Sequence, residues 1–199
     1  MHDDDGEDNV LGGALLVRIG FVHGVRVMAI ANNSAIKGGA TVPMGLRKYL
    51  RAQEIAFTNR LPVIMLVESA GANLAYQSEI FIEGGKRFYN MARLSAAGIP
   101  QIAVVCGSST AGGAYVPGMA DYTIMVRGRA KVFLAGPPLL LAATGEMATD
   151  EELGGADLHA RVAGTAEFVA GGHLAGRGEQ QRRAGQEDLR AAAHHDGVE

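Results

Sequence analysis

The sequence predicts an α/β layered fold, buried strands alternating with amphipathic helices, and three observations carry that prediction. Short runs rich in Val, Ile and other apolar residues recur at 25–31, 63–67 and 101–105, each bounded by Gly, Pro or Asn, as strands covered on both faces are. The last two runs each deliver a loop of small residues. Between the runs, apolar residues return at helical spacing. At 199 residues the chain is long enough for one domain with a real core.

The elements follow in order. Residues 1–11 open with Asp3, Asp4, Asp5, Glu7 and Asp8 and offer little to bury, so they read as a solvated acidic arm. The run at 25–31 is a strand, followed by a turn-rich loop, NSAIKGGAT. From 43 to 60, Leu46, Leu50 and Phe57 recur with Tyr49, Ala52 and Ala56 beside them, and Pro43 suits a first helical turn. Leu61-Pro62 breaks that helix, and the strand at 63–67 runs into ESAGANL. Residues 84–97 place Phe88, Met91, Ala92 and Ser95 at helical spacing, and Gly98 with Ile99-Pro100 stops the helix. The strand at 101–105 runs into CGSSTAGGAY, after which 122–126 and 130–134 read as strands, 150–155 as a helix start and 162–170 as a weaker one. Beyond Ala170 the large apolar residues are Leu174, Leu189 and Val198, without a period. Residues 171–199 are therefore expected to stay outside a domain spanning 12–170, as a disordered or non-native tail that a protease would cut first.

Composition removes several function classes. Hydrophobic residues at 48% and charged residues at 20% exclude a disordered chain. No apolar run reaches the roughly 18 residues of a membrane span, and the start MHDDDGED lacks the parts of a signal peptide, so a cytoplasmic protein with no membrane partner is expected. A single cysteine, Cys106, leaves no internal disulfide, and a net charge of −3 gives no field for nucleic acid.

Chemistry concentrates in two loops of one design, 69–73 and 109–114, where a buried strand is followed by small residues and then a helix. Glycine lets backbone N–H groups face a ligand, and a first helical turn adds unpaired donors. Gly112-Gly113 therefore reads either as an anion-binding turn or as a tight, closely packed strand-to-helix connection, and the same two readings stand for Ala70, Gly71 and Ala72. Ser108 or Ser109 as a nucleophile needs a base, and the one histidine within the next fifty residues is His159, in a predicted helix. His194-His195 reads as solvated rather than as a metal pair, and no metal site is expected. Cys106, at a strand end, reads as a small buried hydrophobe. Lys37 is a phosphate contact or an exposed loop lysine, and Glu68 and Glu146 are acids without a partner at motif spacing.

The runs NNSAIKGGATVPM, KYLRAQEIA, ESAGANL, ARLSAAGIPQIAVVCGSSTAGGAYVPGMAD, LAGPPLLLAATGE and EELGGADLHARVAG resemble, in order, the carboxyltransferase β subunit of biotin-dependent acyl-CoA carboxylases. The resemblance covers about Gly12 to Ala170 and is nearer the methylcrotonyl-CoA and geranyl-CoA branch than the propionyl-CoA branch. It implies a crotonase-like β-β-α spiral that binds acyl-CoA in an N-terminal domain, with carboxybiotin received by a second domain of another subunit. It implies that Gly112 and Gly113 hold the thioester enolate oxygen, that Ala70, Gly71 and Ala72 form the acyl-CoA loop, and that Lys37, Gly38 and Gly39 form a further CoA-side loop. The implied cofactor is biotin, carried on a biotin carboxylase and biotin carrier partner, and the other partners are further carboxyltransferase subunits.

This chain resembles the greater part of the N-terminal domain, and QSEIFIEGGKR is shorter than the corresponding loop of the methylcrotonyl branch. Three functions are thus weighed. The first is a carboxyltransferase component, and the second an inactive, truncated acyl-CoA-binding fragment. The third, a crotonase-type hydratase or isomerase, ranks last because residues 109–132 hold no glutamate beside the proposed oxyanion loop.

Overall fold

The computed structural model describes residues 12–171. The acidic arm at 1–11 and all of the expected tail but Gly171 lie outside the described residues.

Strands β1 (Leu15–Val22) and β2 (Val25–Asn32) form an antiparallel hairpin. His23 and Gly24, at φ 46° and 79°, make a two-residue turn of the kind that matches strand twist. The hairpin's first strand was not anticipated: Leu16, Ile19 and Phe21 are all exposed, so LLVRIGFV lacks the alternation of a half-buried strand. From β2 onward every pairing is parallel: β3 (Val63–Ser69), β4 (Gln101–Thr110), β5 (Tyr122–Val126) and β7 (Phe168–Ala170) follow in the sheet, while β6 (Lys131–Phe133) lies beside the end of β4. β4 extends past the expected 101–105 because Ser108 to Thr110 find a second partner in β6.

Helix α1 (Pro43–Asn59) has Pro43 in its first turn and ends at Arg60 in a left-handed conformation. Helix α2 (Gln77–Ala96) starts seven residues before the expected boundary and carries Gly84-Gly85 in its interior. The pair lowers helix propensity, but Ile80 packs with Leu46 and Leu50 and holds the first turns in place. After the short α3 (Tyr115–Met119) comes α4 (Pro137–Thr144), an unanticipated helix with Pro at its start and left-handed Gly145 at its end. Helix α5 (Asp150–Gly154) is where the sequence placed it. The Thr149 side chain accepts from the Glu152 N–H and Glu152 accepts from the Thr149 N–H, which holds the Glu152 carboxyl below its ordinary value.

The helix expected at 162–170 is absent. After α6 (Ala156–Leu158), His159–Ala163 form one wide turn closed by left-handed Gly164, and β7 then pairs with the open edge of β5. Pairing with that edge satisfies backbone groups that a free helical turn here would leave to solvent.

The main core lies between the sheet and helices α1 and α2. Tyr49, Ala52, Ala56, Met91 and Leu94 pack on Met28, Ile30, Val63, Met65, Val67 and Ala103. Each large side chain so buried contributes about 1.5–3 kcal/mol. A second cluster joins Val105, Met125 and Val126 to Ala130, Ala156 and Ala166. On the other face of the sheet Leu66 and Tyr122 are exposed, and Ile64, Ile102, Val104 and Ile124 are half-buried. No helix among the described residues is long and apolar enough to cross a membrane.

Candidate functional site

Parallel strands end at the same edge of a sheet, and loops that follow them meet there. β2, β3 and β4 are parallel neighbours, with Ser69 opposite Ser109. Their C-terminal loops are those the sequence singled out: 37–39, 70–72 and 111–113.

Backbone hydrogen bonds tie the first loop to the second. Ala70 N–H donates to Gly38 O (3.0 Å), Thr41 N–H to Gly71 O (2.7 Å) and Asn73 N–H to Thr41 O (2.9 Å), while Ser69 Oγ donates to Gly39 O (3.1 Å). Gly39 sits at φ 72°, and a Cβ there would lie 2.2 Å from the Glu68 carbonyl oxygen, so both conformation and space require glycine. Lys37 is exposed beside it. The second and third loops touch directly. A Cβ at Gly71, φ 88°, would lie 3.1 Å from the Ala111 Cβ, and one at Gly113 would lie 3.0 Å from the Ser69 Cβ.

These contacts sort the N–H groups. Gly71 N–H donates to Ser69 Oγ (3.2 Å), but among the described residues no acceptor is recorded for the N–H groups of Ala72 and Gly112, while Gly113 closes the tight helical turn Ala111–Gly113. Unpaired donors on two touching loops favour an oxygen that carries or gains negative charge.

Beside them lies a cleft of about 420 Å³, in the range of small-ligand sites. The loop residues Ala70, Gly71, Ala72, Ala111 and Gly112 line it together with Ile80, Phe81, Gly84, Gly85, Arg87 and Phe88 of α2, and Thr41, Leu46 and Leu74 complete the lining. Gly113 is packed beneath, with Ser109 Oγ donating to its carbonyl (2.9 Å), and Lys37 to Gly39 border the loop without lining the cleft. The lining described contains no carboxylate, and its one charged side chain is Arg87.

The remaining candidates lie elsewhere. Ser109 is fully buried with its hydroxyl committed to Gly113, and Ser108 is exposed. His159 is held by Thr165 Oγ1 at Nδ1 (2.6 Å) and by Val132 O at Nε2 (2.8 Å), in the wide turn rather than a regular helix, so both its ring nitrogens are engaged away from the two serines. Cys106 sits within β4 rather than at a strand end, and it is half-buried. Burial pushes its thiol above the ordinary value, neighbouring Glu68 adds to this, and Arg129 opposes it. Glu68 is half-buried against Gly107, where a Cβ would lie 2.4 Å from its Cδ; Glu146 is exposed beyond α4. His194-His195 lies outside the described residues, among which no group of acidic, His or Cys side chains is arranged for a metal ion.

Sequence reasoning missed Arg87. Ile80, Arg87, Met91 and Leu94 are all buried on α2, at steps of seven, four and three residues. An arginine on the apolar stripe was the available signal, and it was lost because the helix was begun at Gly84, after Ile80.

A family model described as the carboxyl transferase domain matches residues 2–180. A Mycobacterium tuberculosis protein named "Probable biotin-dependent acyl-coenzyme A carboxylase beta2 subunit" is 58% identical over 165 residues, covering 83% of this chain and 31% of that protein. The mitochondrial methylcrotonoyl-CoA carboxylase beta chain of Dictyostelium discoideum is 52% identical over 168 residues, 83% of this chain and 29% of its own length. Among solved structures, the beta subunit of P. aeruginosa geranyl-CoA carboxylase superposes with a TM-score of 0.75 at 61% identity, over 80% of this chain and 30% of that one. The transcarboxylase 12S hexamer structure with hydrolysed methylmalonyl-CoA bound gives 0.74 at 30% identity, over 79% and 31%. The chain spans 29–31% of the length of these relatives.

Proposed function

The chain belongs to the carboxyl transferase family, with the crotonase-like fold its relatives share, and from that premise we propose that it is the acyl-CoA-binding part of a biotin-dependent acyl-CoA carboxylase. The observation that carries the reading is the meeting of the 70–72 and 111–113 loops at one apolar cleft, with unpaired N–H donors and no carboxylate in the described lining.

In this reading the acyl group occupies the cleft and its thioester oxygen accepts from the N–H group of Gly112, with Ala72 as a further donor, while Gly113 holds the turn closed beneath them. Loss of a proton from the acyl chain moves negative charge onto that oxygen, where each fixed donor is worth about 3 kcal/mol, roughly a hundredfold in rate. Ala70, Gly71 and Ala72 hold the thioester end, and Lys37, Gly38 and Gly39 face the CoA side. With no acid in the described lining, this chain supplies the oxyanion site and not the base. Biotin, carried on a biotin carboxylase and carrier partner, supplies the carboxyl group and the proton acceptor, and further carboxyltransferase subunits complete the site. The absence of a lining carboxylate also argues against a hydratase or isomerase, which needs its own acid or base.

Calorimetric titration of the purified chain with 3-methylcrotonyl-CoA and with free CoA tests this. Saturable one-site binding, tighter for the thioester, is expected, and no hydration of the enoyl group. Binding of neither compound overturns the reading, and turnover to a hydrated thioester replaces it with the hydratase.

A further inference from the structure

Arg87 has features that the oxyanion role does not use. It is 8% exposed, its Nε is buried without a hydrogen-bond partner, and among the described residues no Asp or Glu forms an ion pair with it. Its guanidinium lies over the Tyr49 ring, 4.1 Å from the centroid. That contact offsets part of the cost of burying the charge. Tyr49 is itself fixed by its hydroxyl contact to Met65 Sδ (3.0 Å). The backbone of Arg87 is fixed by Gln53, whose Nε2 donates to its carbonyl (3.0 Å) and whose Oε1 accepts from Asn90 (3.2 Å). The cation is therefore held in place before any ligand arrives.

Its position narrows what that ligand is. Arg87 lines the cleft together with Ile80, Phe81, Phe88, Gly112 and Ala72, and it also borders the smaller cavity lined by Tyr49. Hydrocarbon with a single buried, unpaired cation complements an apolar group that ends in an anion, and a guanidinium matches a carboxylate with two parallel hydrogen bonds.

We propose that Arg87 binds a carboxylate borne by the acyl group, the feature that distinguishes a carboxylated acyl-CoA from its precursor. The proposal rests on the acyl-CoA reading of the cleft and deepens it. It assigns to this chain a contact with the carboxylated end of the thioester, in addition to the contacts with its oxygen. The same fork would also suit a CoA phosphate, but the long pantetheine arm separates the phosphates from a thioester seated at Gly112.

The test is a calorimetric comparison of free CoA, 3-methylcrotonyl-CoA and its mono-carboxylated counterpart on the whole chain and on Arg87→Gln and Arg87→Lys. The whole chain is expected to bind the carboxylated thioester at least about tenfold more tightly than the uncarboxylated one, the effect of a hydrogen bond to a charged group. Arg87→Gln should abolish that preference, weakening the carboxylated thioester about tenfold more than 3-methylcrotonyl-CoA, and Arg87→Lys should keep part of it, retaining charge without the fork. Equal affinity of the whole chain for the two thioesters overturns the proposal with no variant needed. Equal weakening of all three compounds in Arg87→Gln also overturns it, pointing to a phosphate contact or a structural stack. Binding of no CoA compound by the whole chain instead overturns the acyl-CoA reading on which the proposal stands.

Discussion

Gly112 and Gly113 are adjacent yet do different work, and alanine separates them. A Cβ at Gly112 meets nothing within 4 Å, whereas one at Gly113 falls 3.0 Å from the Ser69 Cβ and 3.2 Å from the Ser109 Oγ, deep under the loop. Gly112→Ala is expected to unfold with the parent, and Gly113→Ala to lose about 1–3 kcal/mol through overpacking. Denaturant melts of the two variants check this, and equal stability contradicts the packing described. Cys106 gives a second prediction at this scale. Its pKa is raised, first by burial and then by Glu68. At any pH below the raised value it therefore holds less thiolate than a free cysteine, and alkylation by iodoacetamide should be slower, with its pH–rate profile displaced upward. Glu68→Gln removes a raising charge, so the profile should move back down; no movement would show that the carboxylate does not act on the thiol.

Helix α2 lines the cleft where it carries two adjacent glycines, Gly84 and Gly85. Among the described atoms a Cβ at Gly85 meets nothing within 4 Å, and at Gly84 only the Ile80 side chain at 4.0 Å, so neither glycine is there for lack of room. Gly85→Ala should stabilise the exposed helix by about 0.5–1 kcal/mol, read from its denaturation midpoint. Gly85→Leu should fill the wall and weaken acyl-CoA binding several-fold, and undiminished affinity would exclude α2 from the site. The same pair explains why this helix was only half legible: local propensity argues against Gly-Gly, and the packing of Ile80 that overrides it is tertiary. α1 and α5 were legible because periodicity, a first-turn proline and a capping box are local. β1 was not, because its exposed Leu16, Ile19 and Phe21 break the alternation of a half-buried strand, and β7 was not, since its partner β5 is distant in sequence.

At the scale of the molecule, the sheet converts loops distant in the sequence into one site. The glycine loops were legible as anion-binding candidates because strand, small residues and helix stand in consecutive order. Their contact through Gly71 and Ala111 needed the parallel pairing of β3 and β4, and the close packing of Gly113 beneath the cleft needed atomic spacing. Arg87 was legible only as an arginine on an apolar stripe, and its lack of an acidic partner needed the fold. The central claim is that unpaired N–H groups of these loops receive a thioester oxygen. An amide-resolved NMR titration of the chain, labelled with nitrogen-15, against 3-methylcrotonyl-CoA tests it most directly. The account expects the amide protons of Ala72 and Gly112 to move downfield in a saturable way, while amides on the exposed sheet face around Leu66 stay put. Saturable shifts confined to other surfaces, with Ala72 and Gly112 unmoved, would contradict it.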